Sequence, residues 1–92
     1  MSLSQLFGRQ HRDLVEEYAE VLRICLKPSN AFRVISSCWL NDDQWKRYRE
    51  TLIETRFLQK VVIPQGGTLY WTTKRGAQFL EAYEKVVECF QQ

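Results

Sequence analysis

Between positions 57 and 72 the chain reads as two strand-forming runs folded back on each other, and this limits the possible folds more than any other feature. Residues 57–63 are rich in branched and apolar side chains, Pro64-Gln65-Gly66-Gly67 supplies a tight turn, and residues 68–72 form the return strand. Thr73 then stands as an N-cap, followed by Gly76, Phe79, Leu80, Tyr83, Val86, Val87 and Phe90 at helical spacing. A ribbon with a small polar tip therefore runs straight into a helix, with Lys74 and Arg75 at the join.

The upstream sequence predicts three helices. Leu14, Tyr18, Val21, Leu22, Cys25 and Leu26 make the first stripe, which Lys27 and Pro28 end. "SNAFRVISS" gives a short second helix, with Ser29 or Asn30 as cap and Ala31, Val34 and Ile35 facing inward. Cys38-Trp39-Leu40 is expected to be a turn with apolar anchors. The clearest helix start is "LNDDQW". Asn41 is a strong N-cap, Gln44 is placed to reach back to it, and Leu40 and Trp45 hold the two positions of a hydrophobic staple. Asp42 and Asp43 suit the positive end of the helix dipole. This third helix is expected to run to about Arg56, with Trp45, Tyr48, Leu52 and Ile53 inward. Trp39, Trp45, Tyr48, Phe57, Phe79 and Tyr83 are assigned to the core, and one of Tyr70 and Trp71 must face outward.

The order is helix-helix-helix-strand-strand-helix, an α+β domain over residues 13–92 preceded by a loose arm at 1–12. A chain of 92 residues with 45% hydrophobic and 13% aromatic content can build one modest core. No apolar run reaches membrane-spanning length and the N-terminus lacks a secretion-signal layout, so the expectation is a soluble, cytoplasmic protein. Cys25, Cys38 and Cys89 form no paired motif, which disfavours zinc. Cys25 is expected to be a buried apolar residue, while Cys89 near the C-terminus could bridge two subunits. No metal or cofactor is implied. The single histidine, His11, lies in the arm, and no nucleophile–base or carboxylate pair stands out, so an enzyme is not expected.

Charge is polarised. The net charge is only +2, but residues 44–75 hold seven basic side chains against two acidic ones. An anionic partner is the natural expectation. A short helix, a tight turn and a capped helix make a helix-turn-helix, whose second member can lie in the DNA major groove. Its outward positions are Gln44, Lys46, Arg47 and Glu50, with Arg49 nearer the flank. Gln and Arg can pair with adenine and guanine edges, while Lys mainly meets phosphate. Lys60 lies on the ribbon, Gln65 at its tip, and Lys74 and Arg75 at a helix N-terminus that favours phosphate. Asp42 and Asp43 count against DNA unless they turn aside.

"LNDDQWKRYRETLIETRFL" and "GGTLYWTTKRGAQFLEAY" resemble the archaeal winged helix-turn-helix regulators of PadR-like and MarR-like design, and short winged-helix proteins of crenarchaeal viruses and plasmids. Leu40, Asn41, Gln44 and Tyr48 match the third-helix pattern of those regulators, and Tyr70, Thr73, Arg75, Gly76, Phe79 and Leu80 match the pattern after the wing. Trp45 and Arg49 stand where leucines are usual, and Arg75 replaces a lysine. The resemblance implies a homodimer joined through terminal helices, with two third helices reading half-sites about one DNA turn apart. Phe79, Tyr83, Val86, Val87 and Phe90, with Leu6 and Phe7, are the expected dimer surface.

The expected function is a sequence-specific double-stranded DNA-binding transcriptional regulator. Its third helix would lie in the major groove and its hairpin on the adjacent minor groove and backbone. The alternative is a winged-helix protein–protein interaction module that binds no DNA.

Overall fold

The computed structural model describes residues 14–91, so the expectations for the arm, including Leu6, Phe7 and His11, lie outside the described residues. Helices α1 (Leu14–Ile24), α2 (Ala31–Cys38) and α3 (Asp42–Glu54) precede strands β1 (Leu58–Val62) and β2 (Thr68–Thr72), and α4 (Lys74–Gln91) closes the domain. Element order is as the periodicity predicts. Their bounds differ slightly: α3 stops at Glu54, and Arg56 turns out of the helix at φ 66°.

Helix starts follow the capping chemistry. Asn30 caps α2, accepting from the Arg33 N–H at 2.9 Å. At α3 the Gln44 N–H donates to Asn41 Oδ1 (2.8 Å), while the Asn41 N–H donates to Gln44 Oε1 (3.0 Å), a complete capping box. Thr73 caps α4 by accepting from the Gly76 N–H at 3.0 Å.

The strands pair antiparallel, Leu58 opposite Thr72 and Lys60 opposite Tyr70. Residues 58, 60 and 62 thus share a face with 68, 70 and 72. The Ile63 N–H closes the turn on Gly67 O (3.0 Å), and Gly66 and Gly67 both adopt φ 103°, which an L side chain rarely takes. The other edge of β2 bonds to Ser29, N–H to carbonyl in both directions (2.9 and 2.8 Å). Thr72 Oγ1 donates to Leu22 O (2.6 Å), tying the hairpin to α1.

Val21, Leu22, Cys25, Val34, Leu52 and Leu58 make the centre of the core, with Trp45, Tyr70 and Leu80 around them. Tyr70, not Trp71, is the inward member of that pair. Burial pushes the Cys25 thiol up to about 12, with Cys38 nearby adding to the effect, so Cys25 stays protonated. Cys38 is also buried and Cys89 is exposed, and none of the three forms a disulfide. Leu14 and Leu26, expected in the core stripe, are exposed instead.

Candidate nucleic-acid interface

What α3 buries fixes what it presents. Trp45 meets the Tyr70 ring edge-on at 5.1 Å between centroids, and Tyr48 meets Tyr18 in the same way at 5.3 Å. The Tyr48 hydroxyl also donates to the carboxylate of Glu17, a buried acid on α1 that the sequence does not mark as functional. Burial first, and the Glu17 hydrogen bond second, push the Tyr48 hydroxyl up to about 12. It therefore remains a donor, and this bond, together with the buried Trp45, Tyr48 and Leu52, fixes the roll of α3 about its axis.

With that roll set, helical periodicity turns Asp43, Lys46, Arg47, Glu50 and Glu54 to solvent, and all five are exposed. Glu50 forms the crest. It lines the concavity towards the hairpin with Arg49, Glu54 and Lys60, and also the concavity towards α1 with Tyr18, Arg47 and Tyr48.

The basic residues divide around this crest. Arg49 is half-buried, its guanidinium 5.7 Å from the Trp45 ring centre, and it shares the hairpin-side groove with exposed Lys60. Arg47 lies on the opposite flank. Gln65 is exposed at the hairpin turn, where a side chain built on Gly66 or Gly67 would meet nothing within 4 Å. Gln44 is half-buried, and its Oε1 is occupied by the cap, so pairing with an adenine edge would compete with the capping box. Lys74 and Arg75 are exposed at the base of the hairpin, away from its tip. There the Thr73 hydroxyl donates to Arg56 O (2.6 Å), and the Arg75 guanidinium lies 5.6 Å from the Phe57 ring centre. The positive surplus of the middle third accordingly surrounds α3 more than it covers it: the helix carries four acidic side chains against three basic ones.

Trp39 departs from the expectation drawn from the sequence. It is 88% exposed, and Phe32 on the preceding helix is 79% exposed. Trp39 follows the last residue of α2 with φ 57°, and its N–H bonds back to Ile35 O, so the helix ends in a left-handed turn that swings the indole out of the core stripe. Trp39→Gly is expected to leave the unfolding free energy unchanged or to raise it by about 1 kcal/mol, because glycine relieves the left-handed strain at some entropic cost. Chemical denaturation checks this, and a loss of stability would return Trp39 to the core.

Among the expected dimer residues, Phe79 is used within the chain, stacked on Phe57 at 5.1 Å and facing Tyr83 at 6.3 Å. Val86 and Phe90 are exposed, and Tyr83 and Val87 half-buried. Among the described residues no group of three or more His, Cys, Asp or Glu could hold a metal ion, and no helix is long and apolar enough to cross a membrane.

Three helices, a two-stranded hairpin and a closing helix in this order define the winged helix-turn-helix fold. No protein-family model and no curated protein matches the chain. Solved structures do. A DNA-binding protein of Sulfolobus solfataricus, Sso10a-2, superposes with a TM-score of 0.78 at 20% identity, over 87% of this chain and 83% of that one. MepR, a transcription regulator of the Staphylococcus aureus multidrug efflux pump MepA, gives 0.76 at 14% identity, over 98% of this chain and 65% of its own length. The PcaV transcriptional regulator of Streptomyces coelicolor gives 0.63 at 18% identity, over 80% of this chain and 53% of its own. The chain thus spans less than two thirds of either bacterial regulator.

Proposed function

We infer that this chain is a double-stranded DNA-binding transcription regulator in which α3 enters the major groove and the β1–β2 hairpin lies on the adjacent minor groove or backbone. The observation that carries this reading is the groove between the exposed face of α3 and the hairpin, lined by Arg49 on one side and Lys60 on the other. The fold shared with a DNA-binding protein and with transcription regulators supports it. Lys46, Arg47 and Lys60 would meet phosphate or guanine edges, Gln65 the minor groove, and Lys74 and Arg75 flanking phosphate. Fluorescence anisotropy with labelled random duplexes provides the test. Retention at low salt that weakens linearly in log–log form as salt rises is the expected result. No retention of duplex at low salt would overturn the reading.

A two-fold homodimer through α4 belongs to the same proposal, because Val86 and Phe90 leave apolar surface exposed beside half-buried Tyr83 and Val87. Cys89 lies in the same terminal part of α4, so a bridge between subunits is compatible with that arrangement. Equilibrium sedimentation is expected to give a dimer at micromolar concentration under reducing and non-reducing conditions alike, and a monomer throughout would remove it.

A second reading, a protein-binding module without DNA contact, is favoured by the exposure of Trp39 and Phe32. It expects no duplex retention, and loss of partner binding when both aromatics are replaced by alanine.

A further inference from the structure

We propose that Glu50 is a specificity-determining residue of the DNA-reading face, accepting a hydrogen bond from an exocyclic amino group in the major groove, that of cytosine, and rejecting base edges that offer only acceptors. This inference rests on the DNA-binding reading and deepens it.

Glu50 lies on the exposed side of α3, between its two flanks. It is exposed, it borders the concavities on both sides of the helix, and its position opposes the buried Trp45, Tyr48 and Leu52. A duplex edge seated along this side of α3 would lie within its reach. Helix-start chemistry explains the other carboxylates near the interface: Asp42 and Asp43 stand in the first turn, beside the Asn41 cap. It does not explain Glu50, about two turns further along. Nor does internal pairing, since among the described residues Glu50 takes part in neither of the ion pairs, Arg23–Glu84 and Lys85–Glu81.

A carboxylate on a groove-reading crest has a defined chemistry. It only accepts hydrogen bonds, and beside phosphate it repels. In the major groove guanine presents N7 and O6 and thymine O4, all acceptors; adenine sets its N6 amino group beside the acceptor N7, whereas cytosine presents its N4 amino group with no acceptor beside it. Glu50 therefore weakens sequence-independent docking everywhere and regains affinity where an amino group faces it. Lys46 and Arg47, four and three residues earlier on the same exposed surface, are placed to take guanine O6 and N7, so a guanine–cytosine pair satisfies both signs of charge together.

Selection of bound duplexes from a random pool, run in parallel with wild type and Glu50→Gln, tests this. The substitution keeps size and the exposed position, so both proteins should melt together. Wild type is expected to enrich a motif with one invariant amino-bearing base, cytosine. In Glu50→Gln the preference at that one position should relax, and affinity for random duplex should rise about tenfold, so that the ratio of selected to random affinity falls by about the same factor. Identical motifs and an identical ratio for the two proteins would overturn the role of Glu50 while leaving DNA binding intact, as would an invariant base offering only acceptors. Failure of wild type to retain any duplex would overturn the DNA-binding reading and this inference with it. Enrichment of adenine in place of cytosine would contradict the base assigned here.

Discussion

Replacing Gly76 with alanine is expected to lower the unfolding free energy by about 3 kcal/mol and the melting temperature by on the order of 15 °C. Gly76 is buried in the first turn of α4, and a Cβ there would overlap the backbone carbonyl of Phe57 and come within 2.7 Å of Thr72 Cγ2. The carbonyl has little room to retreat, because it already accepts the Thr73 N–H at 3.0 Å while Thr73 Oγ1 holds the preceding Arg56 carbonyl at 2.6 Å. These interactions close the base of the hairpin, where the chain enters β1 and leaves β2. Without that closure the hairpin would separate from α4, and the stack of Phe57 on Phe79 would open with it. Thermal unfolding followed by circular dichroism checks the effect. An unchanged melting temperature would mean that α4 does not sit this closely on the turn after α3.

The second large effect concerns the cations. Joint replacement of Lys46, Arg47 and Lys60 by alanine is expected to weaken duplex binding by on the order of a hundredfold near physiological salt. For each phosphate no longer neutralised, the slope of log affinity against log salt should become shallower by about 0.9. All three are exposed, so the fold should survive. Lys85→Ala is the single-charge control: Lys85 pairs with Glu81 on α4 at 3.3 Å and should change duplex affinity little. A loss of log affinity in this control as large as a third of that in the triple variant would point to net charge alone, with no assigned face.

Local chemistry made much of this fold legible in advance. The Asn41–Gln44 capping box, the Gly66-Gly67 turn and the Thr73 cap all depend on residues within four positions of each other, and each forms as its residues suggest. Trp39 escaped because it stands in a turn, where apolar character alone does not say which way a side chain points. One residue beyond α2 the backbone turns left-handed, and the indole faces outward. The partnership of Tyr48 with Glu17 spans 31 positions, and that of Thr72 with Leu22 spans 50, so local patterns carry no trace of either.

The candidate interface was legible in composition but not in arrangement. Counting along the chain places seven basic residues in 44–75, yet α3 begins at Asp42 and is acidic on balance. Folding divides Arg49 and Lys60 from Arg47 across Glu50, and leaves Lys74 and Arg75 at the base of the hairpin. Gln44 had two possible uses for one oxygen; capping takes it, since the Asn41 N–H lies 3.0 Å away.

The most direct test of a DNA-reading face built from α3 and the hairpin is to titrate isotope-labelled protein with a short selected duplex and follow its backbone amide resonances. The largest shifts are expected along the exposed side of α3, around Lys46, Arg47 and Glu50, and at the hairpin turn around Gln65. Shifts confined to the neighbourhood of Phe32 and Trp39, or none at all, would contradict it.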